Sequence, residues 1–457
     1  MSGIKQKKNR YEIDMCNGSV MDKLISFSIP LMLSGILQLL FNAVDIIVVG
    51  RFTGSHALAA VGSTTALINV FTNLFIGVSL GANVLAARFY ASGREREMSE
   101  TVHTAITFAL LSGIVMVFAG LLFSRGALEL MDTPQDVIDQ STLYMRIYFA
   151  GMPFFMVYNY GAAILRAVGD TKRPLLFLII AGVTNALLNL FLVIVMHLGV
   201  AGVAIATVIA QMISCILVLR CLYKTDSCYQ LRFSKLMLKW RYLKQIFQVG
   251  IPAGIQSTVI NFSNVLLQSS VNSFGSIAMA GYTAANNIFG FLFASVNSIT
   301  QACMSFTSQN YGVGKWKRMD KVLRNCILLS VIVSLVLGGG SYLFGPELLK
   351  IYTSDQAVIQ CGMEILLYTT VTYFMCGLMD LFPGALRGMG YSAVPMLLSV
   401  VGTVGTRVAW IFWVFPKHRA LDVLFISYPA SWLVTIILQV ICYYFVRRKV
   451  KNKLKQN

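Results

Sequence analysis

The chain has 457 residues, 56% of them apolar and only 12% charged, with a formal net charge of +18. Apolar windows of about 20 residues, enough to cross ~30 Å of hydrocarbon, recur along its whole length, which excludes a soluble domain and fixes a polytopic α-helical membrane protein. A barrel is excluded too, because its strands would show as short alternating segments.

Residues 1–23 are polar and charged and read as a cytoplasmic segment. No cleavable signal is expected, since the first apolar stretch is long enough to stay as a helix. Six spans are predicted near 24–50, 57–87, 100–123, 137–165, 174–197 and 199–222, together an N-lobe over 24–222. A polar connector at 223–245 leads to six more near 246–272, 277–309, 319–343, 357–386, 394–415 and 421–446, a C-lobe over 246–446. The tail 447–457 is basic, and Arg447, Arg448 and Lys449 are placed to touch anionic lipid.

The charge reports topology. With both termini in the cytoplasm, thirty of the 37 Lys and Arg fall on cytoplasmic segments and five (Arg51, Arg125, Lys350, Lys417, Arg419) on outer loops. That is the positive-inside bias, so no nucleic-acid partner is implied; a multi-pass protein of the inner (cytoplasmic) cell membrane is.

The second lobe repeats the first. Gly54, Gly93, Arg166, Gly169 and Pro174 recur 221 residues later as Gly275, Gly314, Arg387, Gly390 and Pro395. One gap nearer the start makes the offset 222 and pairs Pro30 with Pro252 and Asn42 with Asn264. Six helices per copy predict parallel repeats about an axis along the membrane normal, and duplicated bundles of this kind mark secondary transporters, whose path lies between the copies.

Other chemistries find little support. The nine Cys show no metal-ligand spacing, the four His (His56, His103, His197, His418) sit singly near helix ends, and no phosphate-binding loop stands in the chain. No cofactor is expected, an enzyme lacks a converging acid, base or nucleophile, and what remains is an ion gradient or no coupling at all. A monomer is expected.

Ionisable groups inside the bilayer therefore carry the information. Ser34, Gln38, Asn42 and Asp45 share one face of the first helix. Asn185 and Asn189 share a face of the fifth, and Thr207 lies at similar depth on the sixth. One carboxylate, two amides and a hydroxyl make a plausible cage for Na⁺ or a proton; the bland alternative is polar glue between helices.

The two six-helix copies, the run Asn42-Ala43-Val44-Asp45-Ile46-Ile47-Val48-Val49-Gly50, the Asn185 to Asn189 pair and the run Gly199 to Thr207 together resemble the multidrug and toxic compound extrusion (MATE) family, of the type that carries its acid in the first lobe. The resemblance implies twelve helices in two pseudo-twofold lobes. It implies Asp45 as the cation-coupling acid, Asn185, Asn189 and Thr207 completing its site, and Pro30 as a bend. Members with this site commonly carry an aspartate where the chain has Asn189, so the coupling ion is expected to be H⁺ or Na⁺. Other members use a seventh-helix glutamate, and the chain has no acid between Gly250 and Asn272.

The seventh helix instead carries the stripe Ser257, Asn261, Asn264, Gln268 and Asn272. With Gln38 and Asn42 it is assigned to a central substrate cavity, the alternative being interhelical hydrogen bonding. Asp380 among Met375, Met379 and Phe382, with repeat mate Asn159 beside Tyr158, suits an organic cation; its alternative is an ion pair with Arg407. Gln38, Asn42, Tyr158, Asn264, Gln268, Met379 and Asp380 are thus the candidate cavity residues. The leading function is an ion-coupled antiporter for amphipathic, often cationic small molecules, with a flippase for lipid-linked precursors second.

Overall fold

The computed structural model describes residues 10–131 and 133–456; residues 1–9 of the amino-terminal segment, Asp132 and Asn457 lie outside them. Among the described residues the helices group into twelve spans and no strand occurs. The first lobe's are Val20–Phe52, Ser55–Ala91, Glu95–Leu130, Ile138–Ala150 with Met152–Ala167, Lys172–Leu190 with a π turn at Phe191–Val195, and Gly199–Lys224. The second lobe's are Trp240–Asn272, Ser276–Gly312, Trp316–Leu343, Gln356–Thr370 with Tyr373–Gly388, the run Ala393–Ser399 to Trp410–Val414, and Leu421–Gln456.

Among the described residues nine helices are apolar and long enough to cross a membrane unaided, and the tenth span passes as a pair bent by 43°. The fourth and seventh spans fall short for sequence reasons. The fourth is interrupted at Gly151 and carries Arg146 and Asn159, while the seventh carries the polar stripe. The bend of the tenth span, at Val371 and Thr372, is the repeat mate of the break at Ala150 and Gly151.

The repeat survives as backbone geometry. Gly54 and Gly275 have φ of 94° and 96°, Gly93 and Gly314 69° and 72°, and Gly169 and Gly390 94° and 91°. These values lie where a Cβ is disfavoured, so glycine is the residue that ends each helix there. Around Gly93 and Gly314 the next amide reaches back to the helix: Arg94 N–H donates to Phe89 O at 3.1 Å and Lys315 N–H to Asn310 O at 2.9 Å.

Packing divides the chain differently from the predicted lobes. One compact unit comprises Ile36–Ile251 and the segment ending at Ile13; the other comprises Asp14–Gly35 and the chain from Pro252 onward. The amino-terminal half of the first span thus belongs with the second unit, where Phe27 meets Phe306 edge-on at 5.6 Å. The start of the seventh span and the 223–245 connector belong with the first, where Phe247 meets Phe108 at 5.1 Å. The change of partner falls near Pro30 and beside Pro252, where a missing backbone donor weakens the helix. The first span nevertheless stays helical through Pro30, and Ser34 Oγ donates to the Pro30 carbonyl at 2.8 Å.

The first unit's connector is pinned by polar contacts. Arg232 N–H donates to His103 Nε2 at 3.1 Å while His103 Nδ1 lies 2.6 Å from Ser99 O, so the Nδ1–H tautomer satisfies both sides of the ring. Burial pushes the Tyr229 hydroxyl up to about 12, so it stays protonated and donates to Glu12 at 2.7 Å. The second unit is held largely by aromatic packing: Tyr373 on Trp432, Trp432 on Tyr428, and Tyr282 stacked on Phe425.

Candidate functional site

The predicted cation residues come together inside the first unit. Asn189 Nδ2–H donates to Asp45 Oδ1 and also to Asn185 Oδ1, the latter at 3.2 Å. Asn185 Nδ2–H in turn donates to Thr207 Oγ1 at 3.4 Å, and the Thr207 hydroxyl donates to Val203 O at 3.0 Å. Spacing explains the convergence: residues four apart on the fifth helix face the same way, and the first and sixth helices pack beside it. Asn185 and Asn189 are buried, whereas Asp45 is half-buried.

The electrostatics of the cluster are one-sided. No Lys or Arg pairs with Asp45 among the described residues, so its charge rests on neutral donors, an arrangement that favours taking up a cation. Asn189 Oδ1 is buried and has no hydrogen-bond partner. A buried unpaired carbonyl oxygen is costly, and this one sits on the amide that holds the carboxylate. It is a ready acceptor for a protonated Asp45 after the amide rotates, or a ligand for a hard cation.

Sequence reasoning missed three residues near Asp45. Tyr144 and Tyr148 of the fourth span lie within reach of its charge, and Gln211 stands one turn beyond Thr207 beside Tyr148. The signal was present in the four-residue spacings of Tyr144 to Tyr148 and Thr207 to Gln211.

The predicted cavity residues divide between the two units. Gln38 and Asn42 are exposed, as are Ser257, Asn261 and Asn272, while Gln268 donates to Asn272 at 2.9 Å. Tyr158 donates its hydroxyl to Pro174 O at 3.2 Å. Met379 departs from its expected place: it is buried in the second unit's core, where its sulfur accepts from Thr403 at 3.3 Å, because the tenth span packs there against the eighth and twelfth. Asp380 is half-buried, and among the described residues it forms no ion pair with Arg407. Arg407 binds Asn264 instead, its Nη1 donating to Oδ1 at 2.8 Å.

Two stretches of equal length, 30–191 and 252–413, each match the family model described as MatE. The chain belongs to the MatE family. Its matched stretches begin at Pro30 and Pro252, so the family unit is the internal repeat itself. The chain is 31% identical to a probable multidrug resistance protein of Bacillus subtilis, YoeA, covering 98% of this chain and 96% of that one. It is 26% identical to a probable multidrug resistance protein, NorM, of Thermotoga maritima over 88% and 87% of the two chains. A solved multidrug resistance MATE transporter of the MOP superfamily, in an outward-facing conformation, superposes with a TM-score of 0.88 at 19% identity over 99% of this chain and all of that one. The fold is therefore that of the MATE transporters, twelve helices in two six-helix lobes, in a multi-pass membrane protein.

Proposed function

We propose that this MATE protein is an antiporter that exports amphipathic, often cationic small molecules by alternating access, driven by H⁺, Na⁺ or both. The observation that carries the reading is the Asp45 carboxylate held by the Asn189 amide whose own Oδ1 is buried and unpartnered. A charged Asp45 uses the amide N–H; a neutral one uses the amide oxygen. Cation uptake thus changes which atoms of the fifth helix bind the first, and the first helix has its weak point at Pro30. Relatives named for multidrug resistance favour this reading over a flippase. Both termini lie in the cytoplasm on this reading, in the inner cell membrane, with a monomer as the working unit.

Purified protein in proteoliposomes, given proton and Na⁺ gradients separately, tests the proposal. Movement of a fluorescent organic cation against its gradient is expected under at least one of them. Equal movement with no gradient would remove the coupling, and an extracellular reporter fused after Asn457 would remove the topology.

A further inference from the structure

The second unit contains a buried charge that the coupling chemistry does not use. Arg407 is only 3% exposed. Its Nε donates to Ser431 Oγ at 3.2 Å, and its Nη1 to Ser263 Oγ at 3.4 Å and Asn264 Oδ1 at 2.8 Å. The guanidinium carbon lies 4.5 Å from the centre of the Tyr428 ring. Every one of these partners is neutral. A guanidinium does not shed its proton, so burial leaves a full positive charge without a counter-ion in the membrane interior.

One edge of that group is open. Among the described residues Nη2 donates to nothing, and unlike Nη2 of Arg173 it is not sealed in the packing. Nη2 is thus the one nitrogen of this guanidinium left both unpaired and unsealed, on a side chain only 3% exposed. The buried rings of Tyr428 and Tyr282, joined through their hydroxyls at 2.9 Å, wall the guanidinium on one side. Asp380 is half-buried and without a hydrogen bond among the described residues, although the Arg387 guanidinium is near enough to act on its charge. Asp380 and Arg407 both act on Cys376 of the tenth span, yet they do not close on each other. A structural pair would have closed, since separation in a low dielectric is unfavourable.

We propose that Arg407 is a subsite for an anionic group, a carboxylate above all, on an amphipathic substrate whose cationic end Asp380 takes. The second unit then accepts zwitterions as well as simple cations. Nη2 supplies charge-assisted hydrogen bonds to the carboxylate, while Ser263, Asn264 and Ser431 fix the fork from the other side. The inference rests on the exporter reading above and names part of its substrate class.

The probe is one rhodamine dye in two forms, the cationic methyl ester and the zwitterionic free acid, binding to the full chain in detergent by fluorescence anisotropy. Arg407→Gln should lower the affinity for the acid relative to the ester by at least about tenfold, the size of a hydrogen bond to a charged group. Asn264→Asp guards against misfolding, because it keeps the guanidinium and neutralises it from within, and it should shift the ratio in the same direction. An unchanged ratio in both variants would overturn the subsite and leave Arg407 as a pin between helices. Wild-type protein that bound the ester but not the acid would overturn the subsite while the exporter reading stood. If wild type bound neither form, the exporter reading would fall and take this one with it.

Discussion

The two units answer the same sequence duplication with opposite charges. By the repeat, Asn42, Asp45 and Thr207 of the first unit correspond to Asn264, Leu267 and Tyr428 of the second. Asn185 corresponds to Thr406, and Arg407 stands one residue beyond it, after a π turn at Val400–Gly405 that the first unit's α-helical stretch lacks. A π turn takes in an extra residue, which re-aims the side chains after it. Where the first unit offers a carboxylate on neutral donors, the second offers a guanidinium on neutral acceptors. On the function proposed above, the duplicated scaffold divides the labour: cation coupling in the first unit, substrate contact in the second.

The largest effect that would break this comparison is at Asp45. Asp45→Asn fixes the neutral form, so the group can no longer release a proton, and gradient-driven export should fall by about a hundredfold or more. Protein yield and elution as a single species should be retained, because Asn189 and Thr207 still find a polar side chain at the position. Wild-type export by that mutant under the same gradient would move coupling into the second unit.

A smaller effect is expected at Asp380. Asp380→Asn should weaken cationic compounds by about tenfold, the loss of one charge-assisted contact, and leave coupling by Asp45 intact. Measured as a set of resistance levels in expressing cells, the rank order of compounds should change. A uniform loss for all compounds together with poor membrane insertion would instead show that Asp380 serves folding.

Much of this was legible in the sequence, and the exceptions have physical causes. The spans, the repeat and the Asp45, Asn185, Asn189 and Thr207 cluster follow from hydropathy and helical spacing, both local properties. The units were less legible: the break in packing falls inside the first and seventh helices, beside Pro30 and Pro252, and only tertiary contacts reveal which half of a continuous helix packs where. Arg407 was visible, but its choice of Asn264 over Asp380 was not. A π turn shifts register by a residue without any composition signal, so depth counted at a constant rise loses accuracy beyond it. Met379 misled for a simpler reason, since a thioether beside an acid suits a binding cavity and a packed core equally well.

The smallest expected effect sharpens the comparison by testing where the units should behave alike. Gly93 and Gly314 have φ of 69° and 72°, and a Cβ built on either would meet nothing within 4 Å. An alanine at either site therefore adds no clash and pays only the left-handed backbone penalty, ~1–2 kcal/mol. Because both glycines end the second helix of their copy through the same reach-back hydrogen bond, Gly93→Ala and Gly314→Ala should lower the thermal unfolding midpoint by similar amounts. Neither should alter the ratio of acid to ester binding or the response to a gradient. A markedly larger drop at one site would mean that its unit is the weaker in the native protein, and that the two copies have diverged in stability as well as in charge.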